Sequence, residues 1–414
     1  MENDGAVKAK AIIDRALDFV SSGQLEKGFV ELNKAEAFLD KLEDSVQVLE
    51  LKANCCEARA TAYKVVGSDT EASRLYRKAV DIRVGLEFED KESQDKSYSL
   101  IAMALVVLGD VDGAAVYADK ILDSYNYEDG PNVAMRFFSI GQVYIGKMDK
   151  YYKKAKKALF ISRSLYVPHL SIETVHMLFE IQKAFADIAH NCEHDDSKAR
   201  QELERAWGYA EKVGIGNCKQ ETLNDIALNA MGYSDIDYDT YILWSHRLLQ
   251  LFGQSIDKGV NCDYSVIRQF VLINVGVLMA TPSIDESLTI ERALKCAELM
   301  KSATNNIEDI ALAQWLAGTA LAKLGTTREE ARKAIRLIKL ALQNLKNSST
   351  EINLNAIALG EGYIADYHFQ KKEYDLAEEW YQKAKKSLSS SSPYVAEKLG
   401  NHYSACLAEC AKHL

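Results

Sequence analysis

Only four of the 414 residues are proline and only 9% are aromatic, in a chain dense in Ala, Leu, Lys and Glu. That scarcity excludes an all-β sandwich or barrel, whose turns and strands draw on Pro, Gly, Val and Thr, and it leaves helix as the default. No apolar run reaches the ~18 residues of a membrane span; the longest are Ser99 to Gly109 and Phe270 to Ala280. The opening residues MENDGAVKAKAIIDRALDFVSSGQLEKGFV mix both charge signs and lack a basic segment leading into an apolar one, so export is not expected. Eight cysteines (55, 56, 192, 218, 262, 296, 406 and 410) are scattered without a disulfide framework, which points to the reducing cytoplasm or nucleus. Fifty basic residues against 60 acidic ones give a net charge of −10. That balance argues against a dominant nucleic-acid or anionic-membrane surface.

Chemistry-bearing motifs are also missing. There is no GxGxxG, Walker A loop, HExxH, GxSxG or CxxC pair, so neither an enzyme nor a cofactor is expected. The most metal-like string is His402, Cys406, Cys410 and His413, all on one helix face. Eleven residues of helix rise ~16 Å, whereas the ligands of one zinc lie within ~2.3 Å of it. At most two neighbours of that string share an ion. His190, Cys192 and His194 beside Asp195 and Asp196 read as a polar hairpin turn, and the adjacent Cys55 and Cys56 as buried small hydrophobes. No metal site is expected.

What the sequence does contain is repetition: a helix, a tight turn often with Gly, then a helix with small or apolar residues at relative positions 0, 4 and 7. Six copies read well: Gly23 to Ala35, Gly67 to Ala79, Gly109 to Ile121, Lys150 to Ser162, Asp195 to Ala206 and Lys372 to Ala384. A seventh runs from Arg328 to Ala341 after extra turn residues. Small residues such as Ala72, Ala114 and Ala377 mark where two helices of a hairpin cross closely, since a long side chain there would force them apart. Prolines 131, 168, 282 and 393 fall at the expected joints. Between Cys218 and Lys301 the repeat blurs, although the hairpin rhythm continues.

Ile364, Ala365, Tyr374, Ala377, Tyr381 and Ala384, and likewise Ala60, Tyr63, Gly67, Ala72, Tyr76 and Ala79, make this pattern resemble the tetratricopeptide repeat. Equivalent positions lie 41 to 44 residues apart rather than the usual ~34. Longer helices or loops must absorb the difference. The resemblance implies an all-α fold, a right-handed α-solenoid of stacked antiparallel hairpins. We expect one continuous array over 1–414, with roughly nine hairpins and a capping helix over 394–414.

In that family the surface lined by the first helix of each hairpin is the usual ligand platform. Recognition of a protein or peptide on a concave face is therefore the expected function. The corresponding positions are Asn54, Glu57, Thr61 and Lys64, then Phe138 and Gln142, then Asp366 and Phe369, with Trp315 a further candidate. Family members that clamp a terminal carboxylate use Lys and Asn on successive first helices. Ile13, Leu17, Glu57 and Thr61 stand there instead, so that activity is not implied.

A basic patch of Lys147, Lys150, Lys153, Lys154, Lys156 and Lys157, interleaved with Tyr151 and Tyr152, reads either as a docking point for an acidic partner segment or as a solvated helix face. Arg332, Arg336 and Lys339 form a second cationic stripe. The segment Ile226 to Leu251 is similar to a hairpin of the Spo22/Zip4-type meiotic crossover scaffolds, with Asn229, Asp237, Tyr238 and Trp244 at the matching places. That likeness implies a chromosome scaffold as an alternative. An enzyme or small-molecule sensor with an internal pocket is the second alternative.

Overall fold

A computed structural model describes residues 2–125, 130–234, 236–259, 263–280, 288–391 and 393–414. Among the described residues there are nineteen α-helices and no strand. They fall into two compact units, Met1–Lys219 and Gln220–Leu414.

In the first unit, short turns join α1 (Glu2–Ser21) to α2 (Leu25–Leu39), α3 (Val46–Val65) to α4 (Asp69–Val84) and α5 (Lys91–Val107) to α6 (Val111–Ser124). The same holds for α7 (Pro131–Ile145) with α8 (Met148–Tyr166) and α9 (Val175–Asn191) with α10 (Asp196–Val213). The second unit holds α11 (Gln220–Gly232), α12 (Tyr238–Lys258), α13 (Tyr264–Ala280), α14 (Ile290–Ala303) and α15 (Ile307–Leu324). It continues with α16 (Arg328–Leu345), α17 (Glu351–Gln370), α18 (Tyr374–Ser387) and α19 (Pro393–Cys410). Successive helices pack as hairpins, most closely α7 on α8, α15 on α16 and α17 on α18.

The recurring turn has one chemistry. After the first helix a residue enters the left-handed region, and the next N–H reaches back to close the helix end: Gln24 N to Phe19 O, Ser68 N to Tyr63 O and Asp110 N to Leu105 O, at 2.8 to 2.9 Å. Gly23, Gly67 and Gly109 supply that conformation without a Cβ clash (φ +75, +76 and +82°). His194 and Lys372 take the same role at φ 53 and 63°, with Asp195 N bonded to Ala189 O and Glu373 N to His368 O. Asp110 and Asp195 then cap the following helices through Gly113 N and Lys198 N.

The 0, 4, 7 register on the second helix is the buried stripe in most hairpins, Tyr76 of α4 being half-buried. Ala114, Ala118 and Ile121, Ala155, Leu159 and Ser162, Ala199, Leu203 and Ala206, Ala334, Ile338 and Ala341, and Ala377, Tyr381 and Ala384 are all buried. Closest approach falls at position 4 in two hairpins. A Cβ on Gly141 would meet Leu159 at 2.7 Å, and one on Gly318 would meet Ile338 at 2.7 Å, so a larger residue at either crossing would force the facing side chain to shift. By this pairing and this register the chain is a TPR-like array of helix hairpins. No described helix is long and apolar enough to cross a membrane.

Where the sequence repeat blurs, the packing explains it. Helix α13, within that stretch, touches α12, α14, α15 and α17, and α15, just beyond it, is buried at every residue from Ala311 to Leu321. A helix covered on several sides shows no single apolar stripe. Helix α14 nonetheless keeps the spacing with Ala293, Ala297 and Met300 buried. Asp237 caps α12 by accepting from Thr240 N at 2.8 Å, and Trp244 is core; both are roles that any helical hairpin gives such residues. Pro131 and Pro393 each open a helix and Pro168 sits in a 3-10 turn, whereas Pro282 and Cys262 lie outside the described residues.

Candidate interaction surface

All nine platform positions lie on first helices: Asn54, Glu57, Thr61 and Lys64 on α3, Phe138 and Gln142 on α7, Trp315 on α15, and Asp366 and Phe369 on α17. Several of them face their own hairpin. Arg83 of α4, with a fully buried side chain, donates to Asn54 Oδ1 at 2.6 Å and to both oxygens of Glu57, one at 2.9 Å. The Thr61 hydroxyl is hydrogen-bonded to that of Tyr76 at 3.1 Å. Only Lys64 of this group is exposed. A long arginine placed one hairpin turn downstream reaches back to the first helix, and sequence register alone gives no sign of it.

Trp315 requires a correction: it is fully buried, because α15 is enclosed on several sides, and so it cannot meet a partner. Asp366 accepts the hydroxyl of Tyr381 at 2.6 Å, and burial pushes its carboxyl above the usual carboxylate range. Phe369 packs edge-on to Tyr374, ring centres 5.5 Å apart. Phe138 and Gln142 are half-buried.

The basic patch is also changed by its surroundings. Lys147 and Lys150 donate to Asp112 of α6 at 2.7 and 2.8 Å, joined by the Tyr151 hydroxyl at 2.7 Å. These three donors hold the Asp112 carboxyl far below its ordinary value. Lys154 clasps both oxygens of Asp119 at 2.7 Å, and Lys156 and Lys198 share Glu193. Lys153 lies over the Tyr152 ring, 5.9 Å from its centre, and Lys157 stays exposed. Most of this charge therefore stitches α6, α8 and the α9–α10 turn together. The cysteine and histidine clusters have local roles as well. Burial raises the Cys55 thiol to about 12, His190 Nδ1 sits 2.5 Å from Asp196, and His413, beyond the end of α19, stacks on Tyr374.

The surface that remains open is on α5 and α7, neighbouring first helices that lie side by side. Between them runs a cleft of about 370 Å³ lined by Lys96, Ser99 and Leu100 on one side and Asn132, Met135 and Ser139 on the other. In its wall, Arg136 faces Asp95 at 3.9 Å with both side chains about nine-tenths buried. Beyond Leu100 the same face of α5 presents Met103 and Val107, 37% and 40% exposed, and Met135 on α7 is 44% exposed. Spacing of i, i+3 and i+7 makes Leu100, Met103 and Val107 one apolar stripe. Methionine side chains adapt to varied apolar partners. The sequence signal was the long apolar run Ser99 to Gly109, more than one buried helix face accommodates.

No family model matches the sequence, and no curated protein is significantly similar to it. Solved structures with similar helical arrangements include a putative kinesin light chain of Podosopora anserina with TPR-like repeats, 17% identical over 50% of this chain and 96% of that one, TM-score 0.39. The apo form of RapI is 12% identical over 92% of this chain and 97% of its own, TM-score 0.47. The TPR domain of P58(IPK) is 15% identical over 98% and 99%, TM-score 0.23.

Proposed function

We propose that the protein is a non-enzymatic interaction scaffold that takes a partner peptide or helix on its first-helix surface, with the α5–α7 cleft as the anchor. The observation that supports this reading most is the apolar stripe of half-buried Leu100 with exposed Met103 and Val107, together with exposed Met135 on the neighbouring helix, beside a polar cleft. Apolar residues gathered on one exposed face, rimmed by polar ones, are the usual mark of a binding surface. An amphipathic helix or extended segment would place two or three apolar side chains against the stripe and its polar groups toward Lys96, Ser99 and Asn132. The free cysteines among the described residues fit a reducing compartment, cytoplasm or nucleus.

The test is capture of a partner from native extract by the full chain and by a Met103→Glu/Met135→Glu variant, with helicity checked by circular dichroism. The reading expects capture to be lost with the helix content unchanged. Capture indifferent to the double substitution would overturn it. A small molecule that raises the melting temperature when no macromolecule is captured would favour the pocket alternative.

A further inference from the structure

We propose that a second docking surface lies on the outer face of α16 and takes an acidic protein segment, anchored beside Trp380. Arg332, Arg336 and Lys339 stand at i, i+4 and i+7 on one face, spanning ~10 Å, with Lys333 at its edge. Arg332, Lys333 and Arg336 have no ion-pair partner among the described residues, and Lys339 makes no direct ion pair although its charge is felt by Glu379 of α18. This contrasts with the basic patch from Lys147 to Lys157, where four of six lysines are neutralised by Asp112, Asp119 and Glu193. The one acid on this face of α16 outside its capping box is Glu329, in the first turn.

The α16 cations adjoin an aromatic platform. Lys339 lies 5.3 Å from the centre of the Trp380 ring on α18, and Lys383, itself paired to Glu379, covers the ring at 4.3 Å. Trp380 is half-buried, whereas the other three tryptophans of the chain, Trp207, Trp244 and Trp315, are buried. A half-exposed tryptophan flanked by cations suits a segment carrying carboxylates beside one apolar residue: the carboxylates meet arginine as paired hydrogen bonds, and the apolar residue covers the ring.

The chain's net charge of −10 selects the partner class. A short acidic segment confines its charge to a patch about one Debye length across. A nucleic acid carries a phosphate every ~1.7 Å of duplex and would run on well past the ~10 Å stripe, onto a chain whose net charge is −10.

The experiment uses the full chain and a fluorescent helical peptide bearing Glu at three- and four-residue spacing around one Leu, at low salt. Binding is read by anisotropy and by protection of tryptophan emission from iodide, which reports on Trp380 because the other three tryptophans are buried. We expect the peptide to bind and to shield Trp380, and Arg332→Glu/Arg336→Glu to weaken it by at least about tenfold. Equal binding of a Gln-for-Glu peptide, undiminished binding by the variant, no binding at low salt, or tighter binding of a duplex DNA of matched length would each overturn the proposal. Shielding of Trp380 and the Arg332→Glu/Arg336→Glu variant report on the α16 surface alone, so the two surfaces fail or succeed separately.

Discussion

Tyr381 on α18 donates its hydroxyl to the Asp366 carboxylate on α17 at 2.6 Å, inside the packing of the last hairpin against α19. The bond favours the charged form of the acid but does not outweigh burial, which leaves the Asp366 carboxyl raised. Glu361, one turn and a half earlier, is raised by burial too, against the Ser387 hydroxyl at 2.7 Å.

A raised carboxylate holds its proton more tightly in the folded chain than in the unfolded one. Its ionisation therefore costs stability as pH rises from the ordinary value of ~4 through the raised value. Asp366→Asn keeps an acceptor for Tyr381 and removes the charge. It is expected to melt higher than the parent at pH 7 to 8, with the gain vanishing below pH ~4. A gain that is constant across that range would refute the burial argument.

Arg83, its side chain fully buried, forms an ion pair with Glu57 of the preceding helix. Glu57→Ala would leave a guanidinium buried without its counter-charge and should cost about 3 to 5 kcal/mol in denaturant unfolding. Arg83→Met with Glu57→Leu should recover most of that loss, because the pair's worth lies in mutual compensation. A double variant no better than the single one would show that the hydrogen bond to Asn54 dominates.

Lys372 occupies the left-handed turn position that glycine fills in three other hairpins. Replacing it with Gly relieves the Cβ clash and should add about 0.5 to 1 kcal/mol, the αL penalty of a side chain less the entropy cost of glycine. The denaturation midpoint decides the sign.

Ala377 is fully buried at the helix crossing of α17 and α18. Ala377→Trp should overpack it and cost about 1 to 3 kcal/mol. An unchanged midpoint would mean that the crossing yields more readily than its close contacts suggest.

How much of this was legible in sequence depended on distance along the chain. The turn glycines and the 0, 4, 7 stripe are local, so the second helices from α2 to α10, with α16 and α18, were readable. In the stretch that holds α13 the hairpin rhythm was legible but the repeat register was not, because burial on several sides erases the periodicity that marks a single buried face. Among site residues, the assignment to first helices was legible, yet Asn54, Glu57 and Thr61 turned out to be engaged by Arg83 and Tyr76 from the next helix. Asp112 and Asp119, lying one repeat upstream of the lysine run, neutralise charges that looked free. The stripe on α16 escaped that fate because no acid on a neighbouring helix reaches Arg332, Lys333 or Arg336.

The pattern of helix contacts also sets an order of assembly. Each hairpin of the first unit closes on the helix next to it in sequence, so it can form as soon as its second helix leaves the ribosome, and little of the chain waits for a distant partner. Helix α13 is different, since its neighbours include α15 and α17. Its apolar residues Ile267, Phe270, Val271 and Val275 are all buried in the finished fold, and its packing is complete only when α17, ending roughly ninety residues later, has been made. During synthesis this helix therefore waits longer for its full cover than a hairpin of the first unit does.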